Sequence, residues 1–306
     1  MNGRSYAILT VLFICLIAVS LFYFYPSQNS LIEHDEKIGV IVTIVTQAEF
    51  VEKIGADKVS VVILVPPGAS PHTYEPTPSQ MQKVAKAKIY AKVGSGVEFE
   101  LAWMDKIIAT NPDMLIIDCS ESIELIDIAS HYHEHELKMH ENQHFGKDPH
   151  IWTSPRNAKI MVENICNGLI EIDPSNKKYY TQNRDAYIND LEETDRKLSN
   201  SFSGLKVRKF IVYHPTWGYL AKDYGLEQIP IEEEGKEPNP GGIAYLIDQA
   251  KENNIKVIFA TPEFQTDIAE TIADEIGGTV VLVSPLEKDY INMLTKISNE
   301  IARSLN

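Results

Sequence analysis

The sequence predicts an α/β protein of two lobes, each a parallel sheet flanked by helices, joined by one long rigid helix. Three observations carry this. From residue 38 onward, short runs rich in Val and Ile alternate with helix-like stretches, the pattern of a parallel sheet covered by helices. Residues 174–203 then break the alternation with a long charged stretch bearing one narrow apolar stripe. Beyond it the alternation resumes. A chain of 306 residues suits two domains, and 44% hydrophobic with 23% charged residues is an ordinary globular balance.

The first 25 residues differ in kind. Ala7 to Tyr25 is a run of 19 residues without a charge, preceded by Arg4, and no acidic side chain comes before Glu33. That length spans a bilayer, and the flanking positive charge keeps its amino end inside. A membrane anchor is therefore expected over 1–25. A cleaved signal segment, with Ala18-Val19-Ser20 as its small-residue site, is the alternative. The apolar run continues past that site to Tyr25, which favours the anchor. Cys15 follows the bulky Ile14 rather than the small residue of a lipoprotein-processing signal. On either reading the remainder lies outside the cytoplasm, attached to the outer face of the membrane or, if cleaved, secreted. A polar linker, 26–37, follows.

In the N-terminal lobe, 38–173, strands are expected at Ile38–Val45, Val59–Val65, Ile89–Lys92 and Met114–Asp118. Helices are expected at Gln47–Ile54, Ser79–Ala87 and Val97–Thr110. Ser154-Pro155 opens another helix, a hydroxyl cap followed by proline at the first helical position, running to about Ile172. The linking helix, 174–204, begins at Asp173-Pro174. On it Tyr180, Tyr187, Leu191, Leu198 and Phe202 recur at steps of seven and four along a rod of roughly 45 Å. In the C-terminal lobe, 205–306, strands are expected at Lys209–Tyr213, Val257–Ala260 and Thr279–Val283. The helices there are Trp217–Tyr224, Ile243–Asn253, Thr266–Ile276 and Tyr290–Ser304.

The net charge of −15 argues against nucleic acid as a partner, which needs a basic patch, and raises the local concentration of cations. Solubility at a membrane surface explains the same charge. Cys119 and Cys166 would pair in an oxidising compartment only if the fold brought them together; two buried free thiols are the alternative.

The distribution of the nine histidines is more informative than their number. His131, His133, His135, His140 and His144 crowd a polar loop, 131–144, among Glu134, Glu136 and Glu141, the composition of a metal-collecting tract. Three others stand in proline-stiffened loops: His72 in SPHTYEP, His150 in DPHIW and His214 in YHPTW. His72 and His214 follow strands, and ligands of open α/β sheets gather at the carboxyl ends of strands. Each is a candidate metal ligand, against the ordinary reading of a lone histidine as structural.

These stretches also carry a resemblance. PHTYEPTPSQMQKVAKAKIYAKVGSGVEFELAWMDK, DPHIWTSPRNA, and YHPTWGYLAKDYGL followed by EPNPGG resemble, in order, the metal-binding solute-binding proteins of zinc and manganese ABC importers. The similarity covers residues 38–306. It implies two α/β lobes joined by a long helix, one ion in the cleft between them, and ligands at His72, His150 and His214. It also implies an importer permease with its ATPase as partners. The histidine-rich loop is typical of zinc members, whereas manganese members usually carry a carboxylate at the position of His214. Independently, neutral imidazole suits zinc and manganese prefers oxygen donors. A monomeric, non-enzymatic zinc carrier is the expectation.

One departure from the family concerns the C-terminal lobe. Its acidic ligand would fall in VLVSPLEKDY, where Ser284 stands in the place of an aspartate, and ATPEFQT has Thr261 at the usual glutamate, with Glu263 two positions later. Water, a loop histidine or Glu263 are the candidates for the fourth position. Two rival functions remain at this stage. A surface adhesin of the same fold would bind host or matrix protein. A zinc-dependent hydrolase would need a general base, but the chain has no HExxH, and HYHEH lacks the aspartate of the HxHxDH motif.

Overall fold

The structure, a computed structural model, describes residues 37–128, 146–232, 236–264 and 266–305. The anchor reading, 1–25, lies outside these residues. Among the described residues no helix is long and apolar enough to cross a membrane.

The first lobe runs β1 (Ile38–Val42), α1 (Val45–Gly55), β2 (Val59–Ile63), α2 (Pro78–Val84), β3 (Ile89–Lys92), α3 (Glu98–Thr110) and β4 (Leu115–Asp118). α4 (Pro155–Ile172) and the long α5 (Lys177–Phe202) follow. The second lobe runs β5 (Lys209–Val212), α6 (Gly218–Tyr224), β6 (Glu227–Pro230), α7 (Pro240–Glu252), β7 (Val257–Ala260), α8 (Asp267–Ile276), β8 (Thr279–Leu282) and α9 (Tyr290–Ser304). Both sheets are parallel and share one strand order, β2-β1-β3-β4 and β6-β5-β7-β8. The inner strands pair on both sides: Ile41 lies between Val62 and Tyr90, and Ile211 between Ile229 and Ile258. Helices cover both faces, so these strands read as continuous apolar runs rather than alternating ones.

β6 was not expected from the sequence. It is a four-residue edge strand with an exposed Glu227 and a terminal Pro230, too short for any periodicity to register. The other elements follow their local chemistry. Ser154 caps α4 by accepting the N–H groups of Arg156 and Asn157, both at 3.1 Å. Asp173 precedes the turn into α5; burial pushes its carboxyl up, but hydrogen bonds from Ser175, Asn176 and Tyr180 outweigh that and hold it at about 2.

α5, about 39 Å long at 1.5 Å per residue, buries its expected stripe, Tyr180, Tyr187, Leu191, Leu198 and Phe202. One apolar core runs from the first sheet past that stripe to Phe210 and Phe259 of the second, and a smaller core surrounds Ile211, Ile258 and Ile272. Glu49 of α1 ties distant segments together: it accepts the Tyr187 hydroxyl of α5 at 2.8 Å and the N–H of Tyr290, which opens α9, at 2.7 Å. Phe50 meets the Tyr290 ring edge-on at 4.9 Å. The last helix therefore packs on the first lobe. Cys119 and Cys166 are buried and free, and burial pushes the Cys119 thiol up, away from reactivity.

Candidate metal centre

His72, His150 and His214 reach one point from three separate loops. His72 follows β2, in a loop fixed to the start of α3 by the Phe99 N–H donating to the Pro71 carbonyl at 3.0 Å. His150 precedes α4; Pro149 beside it accepts the Ser95 hydroxyl at 2.5 Å. His214 leaves the end of β5, two residues before Thr216, whose N–H turns back onto the His214 carbonyl at 2.7 Å. One ring nitrogen from each histidine lies within 4.8 Å of the others, the one such group of His, Cys, Asp or Glu side chains among the described residues.

The other nitrogen of each ring is engaged. Nδ1 of His72 meets Glu98 at 2.8 Å, Nδ1 of His150 meets Asp148 at 2.7 Å, and Nδ1 of His214 meets Glu232 at 2.5 Å. An ionised carboxylate only accepts, so each Nδ1 carries the proton and each Nε2 presents a lone pair. The Nε2 atoms of His150 and His214 stand 3.2 Å apart. Two acceptors at that distance repel unless a cation lies between them. A tetrahedral zinc with Zn–N near 2.0–2.1 Å would set its nitrogens about 3.3 Å apart, so the pair already stands at the required spacing.

Burial lowers the pKa of His214; the hydrogen bond that its Nδ1 donates to Glu232 only partly opposes this, and the neighbouring His150 and His72 lower it further. The ring is thereby kept neutral, the form a metal needs. Glu98 is driven the other way: burial would raise its carboxyl, but the His72 hydrogen bond prevails and holds it below the usual range. Phe264 stacks on His214 at 4.9 Å, and Trp152 meets His150 edge-on at 5.3 Å. These groups and His72 line a void of about 20 Å³, the scale of a single water or ion. The same three histidines line a larger cavity of about 570 Å³ whose walls also carry Glu98, Asp148, Glu232, Glu237 and Glu263.

On the second-lobe wall, Glu263 and Thr261 line the small void. Ser284 is not among its lining residues; its hydroxyl donates to Glu263 Oε1 at 2.8 Å. The loop histidines, His131, His133, His135, His140 and His144, lie outside the described residues. The residues that flank the stretch are described: Lys147 pairs with Asp127 at 2.6 Å, and Ile128 lines the larger cavity. The three ring-holding carboxylates were not singled out in the sequence. Asp148 had the one available signal, standing two residues before His150. Glu98 and Glu232 reach their histidines only through the fold.

Comparison with known proteins bears on the family and the fold. Residues 40–304 match the family described as zinc-uptake complex component A, periplasmic. The chain is 31% identical over 286 residues to the high-affinity zinc uptake system protein ZnuA of Bacillus subtilis (strain 168), covering 93% of this chain and 89% of that protein. A zinc-bound crystal structure of a ZnuA deletion mutant superposes with a TM-score of 0.81 at 38% identity, covering 89% of this chain and 99% of the other. The laminin-binding protein of Streptococcus agalactiae, described as having adhesin and metal-transporting activity, aligns with a TM-score of 0.76 and 24% identity over 89% of this chain and all of that one. At that identity only the fold is shared evidence.

Proposed function

This chain belongs to the family of periplasmic zinc-uptake complex A components, and we propose that it holds one Zn²⁺ on His72, His150 and His214 for delivery to an ABC importer. The observation that carries this is the gathering of one ring nitrogen from each of the three histidines within 4.8 Å, with a carboxylate against Nδ1 of every ring. Three neutral nitrogens form a donor set that favours zinc over manganese. The family is one of solute-binding proteins rather than enzymes, which removes the hydrolase alternative. The adhesin alternative rests on a shared fold alone.

In this reading the protein works as a monomer outside the cytoplasm, held at the outer membrane face by residues 1–25. The permease and its ATPase take the ion from it. The 131–144 loop serves as an auxiliary collector, supported by its composition and by Ile128, next to its start, lining the larger cavity. A loop that must be ordered to close on a metal binds more weakly than a stiffened site. Deleting it should remove weakly bound zinc and keep the tight ion.

The deciding experiment is zinc titration of the parent and of His72→Ala, His150→Ala and His214→Ala, followed by thermal melting. At a thousandfold excess over Kd, the parent gains about 4 kcal/mol on binding, and each variant should lose most of that gain. Parent-like zinc affinity in all three variants would remove the assignment.

A further inference from the structure

His150 is not delivered by a sheet strand. It follows a short antiparallel ladder, in which the Asp148 N–H donates to the Ile126 carbonyl at 2.9 Å and the Ile128 N–H to the Gly146 carbonyl at 3.1 Å. Asp148 then holds the histidine twice. Its Oδ1 accepts both the backbone N–H of His150 at 2.9 Å and the ring Nδ1–H at 2.7 Å. A single oxygen therefore sets where the ring stands and which nitrogen carries the proton.

Asp148 is itself held from the second lobe, by α6. The Tyr219 hydroxyl donates to the Asp148 carbonyl at 2.9 Å and accepts the Ile126 N–H at 3.3 Å, closing the end of the ladder. Gly218, beside it, lies against the other carboxylate oxygen. A Cβ there would stand 2.3 Å from Asp148 Oδ2 and 3.2 Å from Gln228 Nε2. Gly218 is not among the glycines of positive φ, so the close approach rather than the backbone conformation calls for glycine. Buried Gln228 fixes the preceding turn, accepting the Trp217 N–H at 2.9 Å and donating to the Pro215 carbonyl at 3.3 Å. That turn starts at His214, so α6 cannot draw away from Asp148 without disturbing the loop of a second ligand.

From this geometry we propose that Gly218 and Tyr219 are positioning residues for zinc: from the second lobe they set Asp148, and through it the place and tautomer of His150. The proposal rests on the three-histidine reading, and adds to it that the stretch from His214 to Tyr219 governs two of the three rings. The three atoms nearest a methyl group at 218 all belong to side chains, and the Asp148 carboxylate is the one that must turn aside. Gly218→Ala should therefore act on the ring more than on the fold.

The test uses the full chain and its Gly218→Ala, Tyr219→Phe and Asp148→Ala variants, with the two double variants that contain Asp148→Ala. Zinc affinity is measured by competition with a chelator. Ring tautomers of the zinc-free proteins are read at neutral pH from ¹⁵N spectra of labelled histidine, the His150 signal being the one lost in His150→Ala. Gly218→Ala should weaken zinc binding by about tenfold or more, as loss of a ring-holding partner does. Tyr219→Phe should weaken it by about two- to tenfold, the worth of a hydrogen bond. In both, the His150 signal should move from the Nδ1–H tautomer toward a mixture while that of His72 stays. Once Asp148 is gone neither residue should matter, so each double variant should bind zinc within about twofold of Asp148→Ala alone. A merely structural role would weaken both backgrounds equally and leave the tautomer as it was. Parent-like affinity in Gly218→Ala and Tyr219→Phe, losses that repeat in full on top of Asp148→Ala, or an unmoved His150 signal overturns the proposal and leaves the three histidines in place. Absence of tight zinc binding by the parent overturns both. Where Gly218→Ala folds poorly, Tyr219→Phe and its double variant decide the matter.

Discussion

The two sheets have the same strand order but use their crevices in opposite ways. In an open α/β sheet the crevice lies where successive connections leave to opposite sides, between β1 and β3 in the first lobe and β5 and β7 in the second. The first crevice is filled by the chain itself. Glu100 of α3 accepts the N–H groups of Val93 at 2.6 Å and Gly94 at 2.9 Å, and the Thr43 hydroxyl at 2.5 Å. The second crevice is left to the site: His214 follows β5 and Glu263 follows β7, both facing the void. The first lobe is thus a finished platform whose histidines arrive on loops outside its crevice. The second lobe offers its crevice to the ion.

That contrast can be broken most sharply at its two glutamates. Glu100→Leu removes the acceptor of two buried donors and one part-buried donor, and should lower the stability of the zinc-free protein by about 3 kcal/mol or more in denaturant melts. Glu263→Gln, in the open crevice, should cost less than about 1 kcal/mol in the same melts, because it removes no buried donor's acceptor beyond Ser284. Equal losses would mean that both crevices are structural.

The ring-holding carboxylates sharpen the comparison at the next level. Losing such a partner typically costs 10–100-fold in metal affinity. Asp148→Asn and Glu232→Gln, one in each lobe and both buried, belong near the top of that range. Glu98 is 49% exposed, so water can replace part of what it supplies, and Glu98→Gln should cost about tenfold or less. Chelator competition on the three variants ranks them. A Glu98 variant as weak as the Asp148 variant would show that burial does not set the order.

How much of this was legible in the sequence follows from range. The strands of the first lobe, the Ser154 cap and the α5 stripe depend on neighbours within a few residues, and the sequence displays them. The three histidines were legible because proline and strand ends mark their loops. Glu232 was not, because it follows β6, whose four residues carry no readable period. Glu98 reads as an ordinary first-turn helix acid until the fold sets it against His72. Glu100 likewise looks like a surface helix position, yet it is 4% exposed and lowers into the crevice between β1 and β3. Such partners are chosen by tertiary geometry, and no local spacing encodes them.

The smallest effect expected is a pH slope assigned to a single ring of the second lobe. Burial lowers the folded-state pKa of His214 below the ordinary histidine value near 6.5. As pH falls through that value, the unfolded chain takes up a proton while the folded ring does not, so the unfolded state is favoured. Zinc-free protein should therefore lose stability from pH 7.5 toward 5.5 and level off once the folded ring itself protonates. His214→Asn removes this contribution and should flatten the profile by that one group. Zinc should steepen the parent's profile, because the ring cannot hold a proton and a metal at the same nitrogen. Denaturant melts at pH 7.5, 6.5 and 5.5, with and without zinc, measure all three slopes. A zinc-free slope unchanged by His214→Asn would place the titrating group elsewhere, and the second-lobe ring would then be no more pH-sensitive than those of the first.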